Sequence, residues 1–195
     1  MTDTEHIGIV ACTAEGASLC YRTICAEGPQ ILGPDAHPEV SIHTPSLARY
    51  VQYLDDGDQE GVASLMLDSA EKLARVGADF LICPDNTIHS AFDLVRPKSP
   101  LPWLHIAEVV AGEAQARGYR RLGITGTHWL VNSEVYPRAL ECAGLECVRP
   151  GSAEREEMGR IIMSELIYGV FKPDGVMYFQ QVIEGLRDAG CDAVV

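Results

Sequence analysis

Short, wholly apolar runs alternate with stretches of helical periodicity almost from the first residue. Residues 7–11 (IGIVA) predict a buried strand, and Thr13 stands where it would cap a helix that continues through Leu19 and Ile24. EVSIH, at 39–43, predicts the next strand. From Asp58 apolar residues recur at Val62, Leu65, Met66, Ala70, Leu73 and Ala74, close to helical spacing, and Gly77 supplies a stop. The chain then returns to a strand in DFLIC, 79–83. These strands are apolar throughout rather than alternating, which is the pattern of a parallel sheet covered on both faces.

RPKSPLP, at 96–102, carries three of the eleven prolines and is the expected crossing between a first lobe, 1–98, and a second, 99–195. Beyond it the alternation resumes. WLHI (103–106) is followed by a helix over 108–117 that ends at Gly118, the strand RLGIT (121–125), and a helix over 133–143 that ends at Gly144. LECVRP (145–150) predicts another strand, and helices are expected over 154–169 and 175–189, with Gly190 as the stop before the final CDAVV. Strand and helix units repeated in this way define an α/β fold with parallel sheets flanked by helices.

The two halves echo each other. GADFLIC (77–83) and GCDAVV (190–195) each follow a helix after a glycine, with Asp79 matching Asp192. On that register the equivalent of Asp85 falls three residues beyond Val195. The expectation is therefore a natural chain that continues, with a C-terminal segment missing here.

Composition narrows the roles. At 195 residues with 47% hydrophobic and 22% charged positions, a real core is expected. A formal net charge of −13 sets up a field that repels phosphate backbones and anionic membrane surfaces, so neither nucleic acid nor membrane is an expected partner. Seven cysteines form no C-x-x-C pair, and there is neither a signal-peptide core nor an apolar run of about 18 residues, which points to a cytoplasmic chain with reduced thiols. The six histidines and seven cysteines fall into no metal-ligand spacing, so no metal is expected.

In a parallel α/β sheet, ligands collect where loops leave the carboxyl ends of the strands. The polar residues there are Cys12 and Thr13, His43 and Thr44, Asp85 to Thr87, His105 with Glu108, and Thr125 to His128. Asn86 and Thr87 offer amide and hydroxyl donors, and backbone N–H groups at a helix start favour an anion such as a carboxylate. Asp85, Asn86 and Thr87 are equally the residue types that simply cap a helix. Gly126 and Thr127 pose the same choice, anion site or plain turn, and His105 and His128 read as structural. Neither G-x-S-x-G, a Walker A loop nor G-x-G-x-x-G occurs.

IGIVACTAEGASLCYRTI, then DNTIH after an apolar strand, then GITGTHWLVNSEVYPRALECAGLE together resemble the aspartate/glutamate racemase family across essentially the whole chain, with N-T-x-H the most specific part. The resemblance implies two similar α/β lobes related by a pseudo-twofold axis with the active site between them, a homodimer, and a small carboxylate substrate. It implies inversion at the carbon next to a carboxylate, as in aspartate or glutamate, with no cofactor and so no pyridoxal phosphate. Two acid/base residues face each other across that carbon, typically cysteines, one just before N-T and one in a G-C-T stretch of the second half. A thiol of pKa about 8.5 is a stronger conjugate base than a carboxylate at about 3.9, and the α-proton is a very weak acid.

Here the residue before Asn86 is Asp85, and the G-C-T stretch is absent from the sequence. Cys83 lies two residues earlier, on the same side of the strand but one step deeper, and reads as a buried thiol. Asp85 is thus the expected catalytic residue, and the resemblance carries Thr13, Asn86, Thr87, Gly126 and Thr127 over as the substrate-binding set. Two alternatives stay open: a one-cysteine decarboxylase or cis-trans isomerase of the same superfamily, and a non-catalytic carboxylate-binding protein.

Overall fold

The computed structural model describes residues 4–195. They divide into two compact units, the first ending at His105 and the second spanning Ile106–Val195. In chain order the first unit contains β1 (Ile7–Val10), α1 (Ala14–Leu32), β2 (Val40–His43), α2 (Leu47–Asp55), α3 (Gln59–Arg75), β3 (Phe80–Ile82), a 3-10 turn (Thr87–Ala91), α4 (Phe92–Val95) and β4 (Trp103–Leu104). Its sheet has the order β2-β1-β3-β4, and every pairing is parallel.

Each side of that sheet is covered for a reason visible in the chain. Ile9 and Ala11 pack with Ala17 of α1, and Cys20 and Ile24 close over them. From α3, Val62, Leu65, Met66, Ala70 and Leu73 of the predicted face are buried, and Ala74 is half-buried. Each large apolar side chain so removed from water contributes about 1.5–3 kcal/mol before the entropy of ordering it. Gly8 leaves room for its neighbours, since a Cβ there would stand 2.6 Å from Leu81 Cδ2 of β3 and 3.3 Å from Leu73 Cβ of α3. The α3 ends are those the sequence predicts: Asp58 accepts a hydrogen bond from Gly61 N at 2.8 Å, and Gly77 leaves the helix with a φ of 92°.

Trp103 and Leu104 pair in parallel with Leu81 and Ile82. The strand after the proline stretch therefore belongs to the first sheet, and the first unit runs past the expected division at 98/99 to His105. Residues 96–102 act as the crossover that brings β4 alongside β3.

The second unit contains α5 (Ile106–Ala116), β5 (Arg121–Gly123), α6 (His128–Val131), α7 (Val135–Cys142), β6 (Glu146–Val148), α8 (Ser152–Ser164), a 3-10 turn (Leu166–Tyr168), α9 (Pro173–Asp188) and β7 (Ala193–Val194). Its parallel sheet has the order β6-β5-β7, with Leu122, Ile124, Tyr136 and Leu140 in one apolar cluster and Met158, Val182 and Leu186 in another. β5 thus lies between two parallel partners, as β1 does in the first unit. The echoed aspartates also act alike. Asp79 accepts from His6 N at 2.6 Å beside β1, and Asp192 accepts from Arg120 N and Arg121 N at 2.9 and 3.0 Å beside β5. No helix among the described residues is long and apolar enough to cross a membrane.

Candidate functional site

Asp85 is set by the loop that leaves β3, and its carboxylate reaches across to the start of α1. Oδ2 accepts from Cys12 N at 3.0 Å, and Thr13 N lies 3.2 Å from both oxygens. The Thr13 hydroxyl donates to Oδ1 at 2.6 Å and itself accepts from Gly16 N at 3.3 Å as the cap of α1. Asp85 therefore does join a helix start, but that of α1 and not that of the segment it precedes. The side chain of Asn86 makes no capping hydrogen bond, and the segment after it is a 3-10 turn running into α4, not one continuous helix.

The groups around the Asp85 carboxylate all donate, which matches an ionised carboxylate. Two influences oppose each other. Burial raises the pKa of Asp85 above the ordinary carboxylate value, while the Thr13 hydroxyl and the Cys12 and Thr13 amides pull it back; burial is the larger. Nearby thiols are pushed the other way from a useful base: burial, and then the negative charge of Asp85, raise Cys12, Cys20 and Cys83. Cys83 is buried and points its Sγ at the Asp85 carbonyl at 3.5 Å, as expected of a structural thiol.

His89 holds the other end of the loop. Its Nδ1 lies 3.0 Å from the Asp85 carbonyl, which can only accept, so Nδ1 carries the proton. Burial lowers its pKa to about 4, leaving the ring neutral near pH 7. The ring packs in an aromatic cluster, edge-on to His105 at 4.7 Å and stacked with Phe92 at 5.7 Å, and Phe92 meets Trp103 at 5.5 Å. His105 also meets the Phe92 ring, at 4.7 Å.

Of the sequence-predicted set, Asp85 and Thr13 are in direct contact, and Asn86 and Thr87 follow Asp85 half-buried in the same loop. Gly126 and Thr127 belong to the second unit, after β5. Thr127 caps α6 by accepting from Leu130 N at 3.2 Å, and Gly126 has a φ of 147°, where a Cβ would stand 2.6 Å from Leu130 Cδ2. The sequence reading placed Cys12 at this strand end and His89 in N-T-x-H, but missed that the Cys12 backbone amide donates to Asp85, a contact with no sequence signal. Among the described residues no three His, Cys, Asp or Glu side chains are arranged to hold a metal ion.

The Asp85 carboxylate is thus fixed between the loop after β3 and the start of α1, ahead of Asn-Thr, in an α/β chain with parallel sheets. The chain belongs to the Asp/Glu/Hydantoin racemase family, whose model matches residues 9–195. It is 23% identical to the broad specificity amino-acid racemase RacX of Bacillus subtilis over 131 residues, which is 67% of this chain and 55% of that protein. The match thus spans about half the length of this curated relative. Among solved structures, a Yersinia pestis protein with the provisional designation Asp/Glu racemase aligns with a TM-score of 0.84 and 25% identity over 98% of this chain and 84% of its own. An aspartate racemase homologue from Pyrococcus horikoshii aligns with a TM-score of 0.79 and 28% identity over the same shares.

Proposed function

We propose that this protein is a cofactor-independent amino-acid racemase or epimerase, inverting the carbon next to the substrate carboxylate, with Asp85 in the first acid/base position. The observation that carries this reading is the Asp85 carboxylate itself, held by Cys12 N, Thr13 N and the Thr13 hydroxyl directly ahead of Asn86 and Thr87. Cys12, Cys20 and Cys83 are protonated thiols near neutral pH, and the His89 Nδ1 is committed to a carbonyl. Asp85 remains as the base.

Its raised pKa serves that role, because a desolvated carboxylate takes a proton more readily than one in water. Thr13 orients Asp85 and acts through it. Asn86 and Thr87 would hold the substrate carboxylate and stabilise the enolate-like charge that develops as the α-proton leaves. The family resemblance adds Gly126 and Thr127 as further substrate contacts. A small amino acid is the partner this chemistry requires, and a homodimer and a cytoplasmic setting complete the reading.

The test is α-proton exchange followed by NMR in deuterated water with no added cofactor, on each enantiomer of a panel of amino acids that includes aspartate and glutamate. Exchange with inversion is the expected result. Exchange with retention would leave one working base on one face, and its absence for every amino acid would turn the reading to a decarboxylase, a cis-trans isomerase or a carboxylate-binding protein.

A further inference from the structure

Building on that reading, we propose that His105 is a positioning residue for Asp85, acting through the ring of His89. Asp85 is pinned at two points. Its carboxylate is held from the start of α1 by Cys12 N, Thr13 N and the Thr13 hydroxyl. Its carbonyl is held by His89 Nδ1 at 3.0 Å and by the weaker Cys83 Sγ donor at 3.5 Å. The first hold fixes the oxygens that would take the proton. The second fixes the backbone that carries them, so the placing of the base depends on where the His89 ring stands.

His89 can make that hydrogen bond only while its ring keeps one orientation, and its ring contacts supply the constraint. Ile82 pairs with Leu104 in the parallel register of β3 and β4, which brings the next residue, His105, level with the start of the Asp85 loop. The His105 ring stands 4.7 Å from His89 and 4.7 Å from Phe92, at interplanar angles of 78° and 79°, while His89 and Phe92 stack on each other at 23°. Stacked and edge-to-face pairs each have a preferred geometry, so a buried ring held by one of each has little freedom to swing.

The support continues outward. Phe92 meets Trp103 at 5.5 Å and lies under the Arg96 guanidinium at 5.0 Å, and Trp103 Nε1 donates to Ser99 Oγ at 2.6 Å. The ring cluster thus ties the proline crossover and β4 to the loop that carries Asp85. Without the His105 ring, His89 keeps its stack on Phe92 but loses the perpendicular neighbour that stops it turning away from the Asp85 carbonyl. A catalytic group misplaced by about 1 Å can cost as much as 100-fold in rate.

The experiment combines heteronuclear NMR of the histidine ring nitrogens, with the His89 signals assigned from His89→Ala, and kcat and KM from α-proton exchange. Every variant is checked for folding by circular dichroism. In the wild type His89 is expected to carry its proton on Nδ1. His105→Leu, which fills the space without a ring, should lose that signature and lower kcat about 10- to 100-fold with KM within about twofold, the pattern of a displaced base. His105→Phe, which keeps a ring there, should retain the signature and stay within about threefold of the wild-type kcat. Added to His89→Ala, the His105→Leu change should cost nothing further, since its route to Asp85 is already cut.

A wild-type His89 protonated on Nε2 overturns the proposal. So do a His105→Leu protein that keeps the Nδ1 proton, a His105→Phe protein that loses it, and losses that add in the double variant. The wild-type and His105→Phe spectra decide the matter even where His105→Leu does not fold. Absent exchange in the wild type would remove the racemase reading, and the ring signals would still show whether His105 holds His89 against the Asp85 loop.

Discussion

The turn from β1 into α1 and the turn from β5 into α6 are built alike and have different partners beside them. Each follows a strand flanked by two parallel partners, and each ends in a threonine that accepts the N–H three residues on, Gly16 N for Thr13 and Leu130 N for Thr127. Each strand is also tied at its start by the echoed aspartate, Asp79 or Asp192. The partners described beside the two turns differ. Beside the first turn the loop after β3 delivers the Asp85 carboxylate to the Thr13 hydroxyl. Beside the second, the Val195 carbonyl accepts from Thr125 N and the Thr125 hydroxyl at 2.7 and 2.8 Å. In both units the turn ends a strand and starts a helix.

Removing the delivered group should break the comparison most severely. Asp85→Asn is expected to lower kcat/KM by about 10³-fold, within the range for losing a general base, with α-proton exchange as the readout. An enzyme that keeps most of its activity would leave Asp85 no more than a strut between β3 and α1.

His89 comes next, because it braces that loop and is buried without charge. Its native pKa near 4 lies below its unfolded value, so the unfolded chain binds the extra proton first as pH falls. Its contribution is therefore complete above about pH 6.5 and is lost as pH drops toward 4, by at most about 3 kcal/mol. The raised Asp85 carboxyl has the opposite sign, losing stability as pH rises through its native pKa. Urea midpoints between pH 7 and 4 should fall less steeply in His89→Gln than in the wild type. Equal slopes would mean that His89 is charged or exposed in the native protein.

On the second turn the comparable test is Gly126→Ala. A side chain there must take a φ of 147° and displace Leu130, which is expected to cost about 1–3 kcal/mol in urea unfolding. A loss under about 0.5 kcal/mol would show that the turn relaxes freely.

How much of this was legible follows the range of the interactions. α1 and α3 are readable because their caps and apolar faces are local, and both Thr13 and Asp58 cap the helices assigned to them. α2 went unread although Leu47, Tyr50, Val51 and Leu54 have helical spacing, since the run is short and follows Pro45 directly. The helix expected over 154–169 breaks after Ser164, where Glu165 leaves helical geometry at φ −134° and ψ −64° before the 3-10 turn. β4 could not be assigned to its sheet from spacing, because its pairing with β3 bridges the proline crossover. Asp85 was picked out by its neighbours Asn86 and Thr87, but its partners are 72 and 73 residues earlier. Local rules offered only a cap for its own segment, and the structure gave it another helix to hold.

The finest test of the comparison is to remove the two threonine hydroxyls separately. Thr127→Val deletes a helix cap and is expected to cost about 1 kcal/mol. Thr13→Val deletes a cap and also a 2.6 Å hydrogen bond to a carboxylate, so its loss should be larger by about 1–2 kcal/mol. Hydrogen exchange at the Gly16 and Leu130 amides reads each cap locally, without relying on one unfolding transition for both units. Combining Thr13→Val with Asp85→Asn should cost less than the sum of the two, because the second change removes a contact the first has already broken, whereas Thr127→Val with Asp85→Asn should add. If both pairs add equally, the Thr13 hydroxyl is a cap and nothing more, and the two turns differ only in the residues that lie beside them.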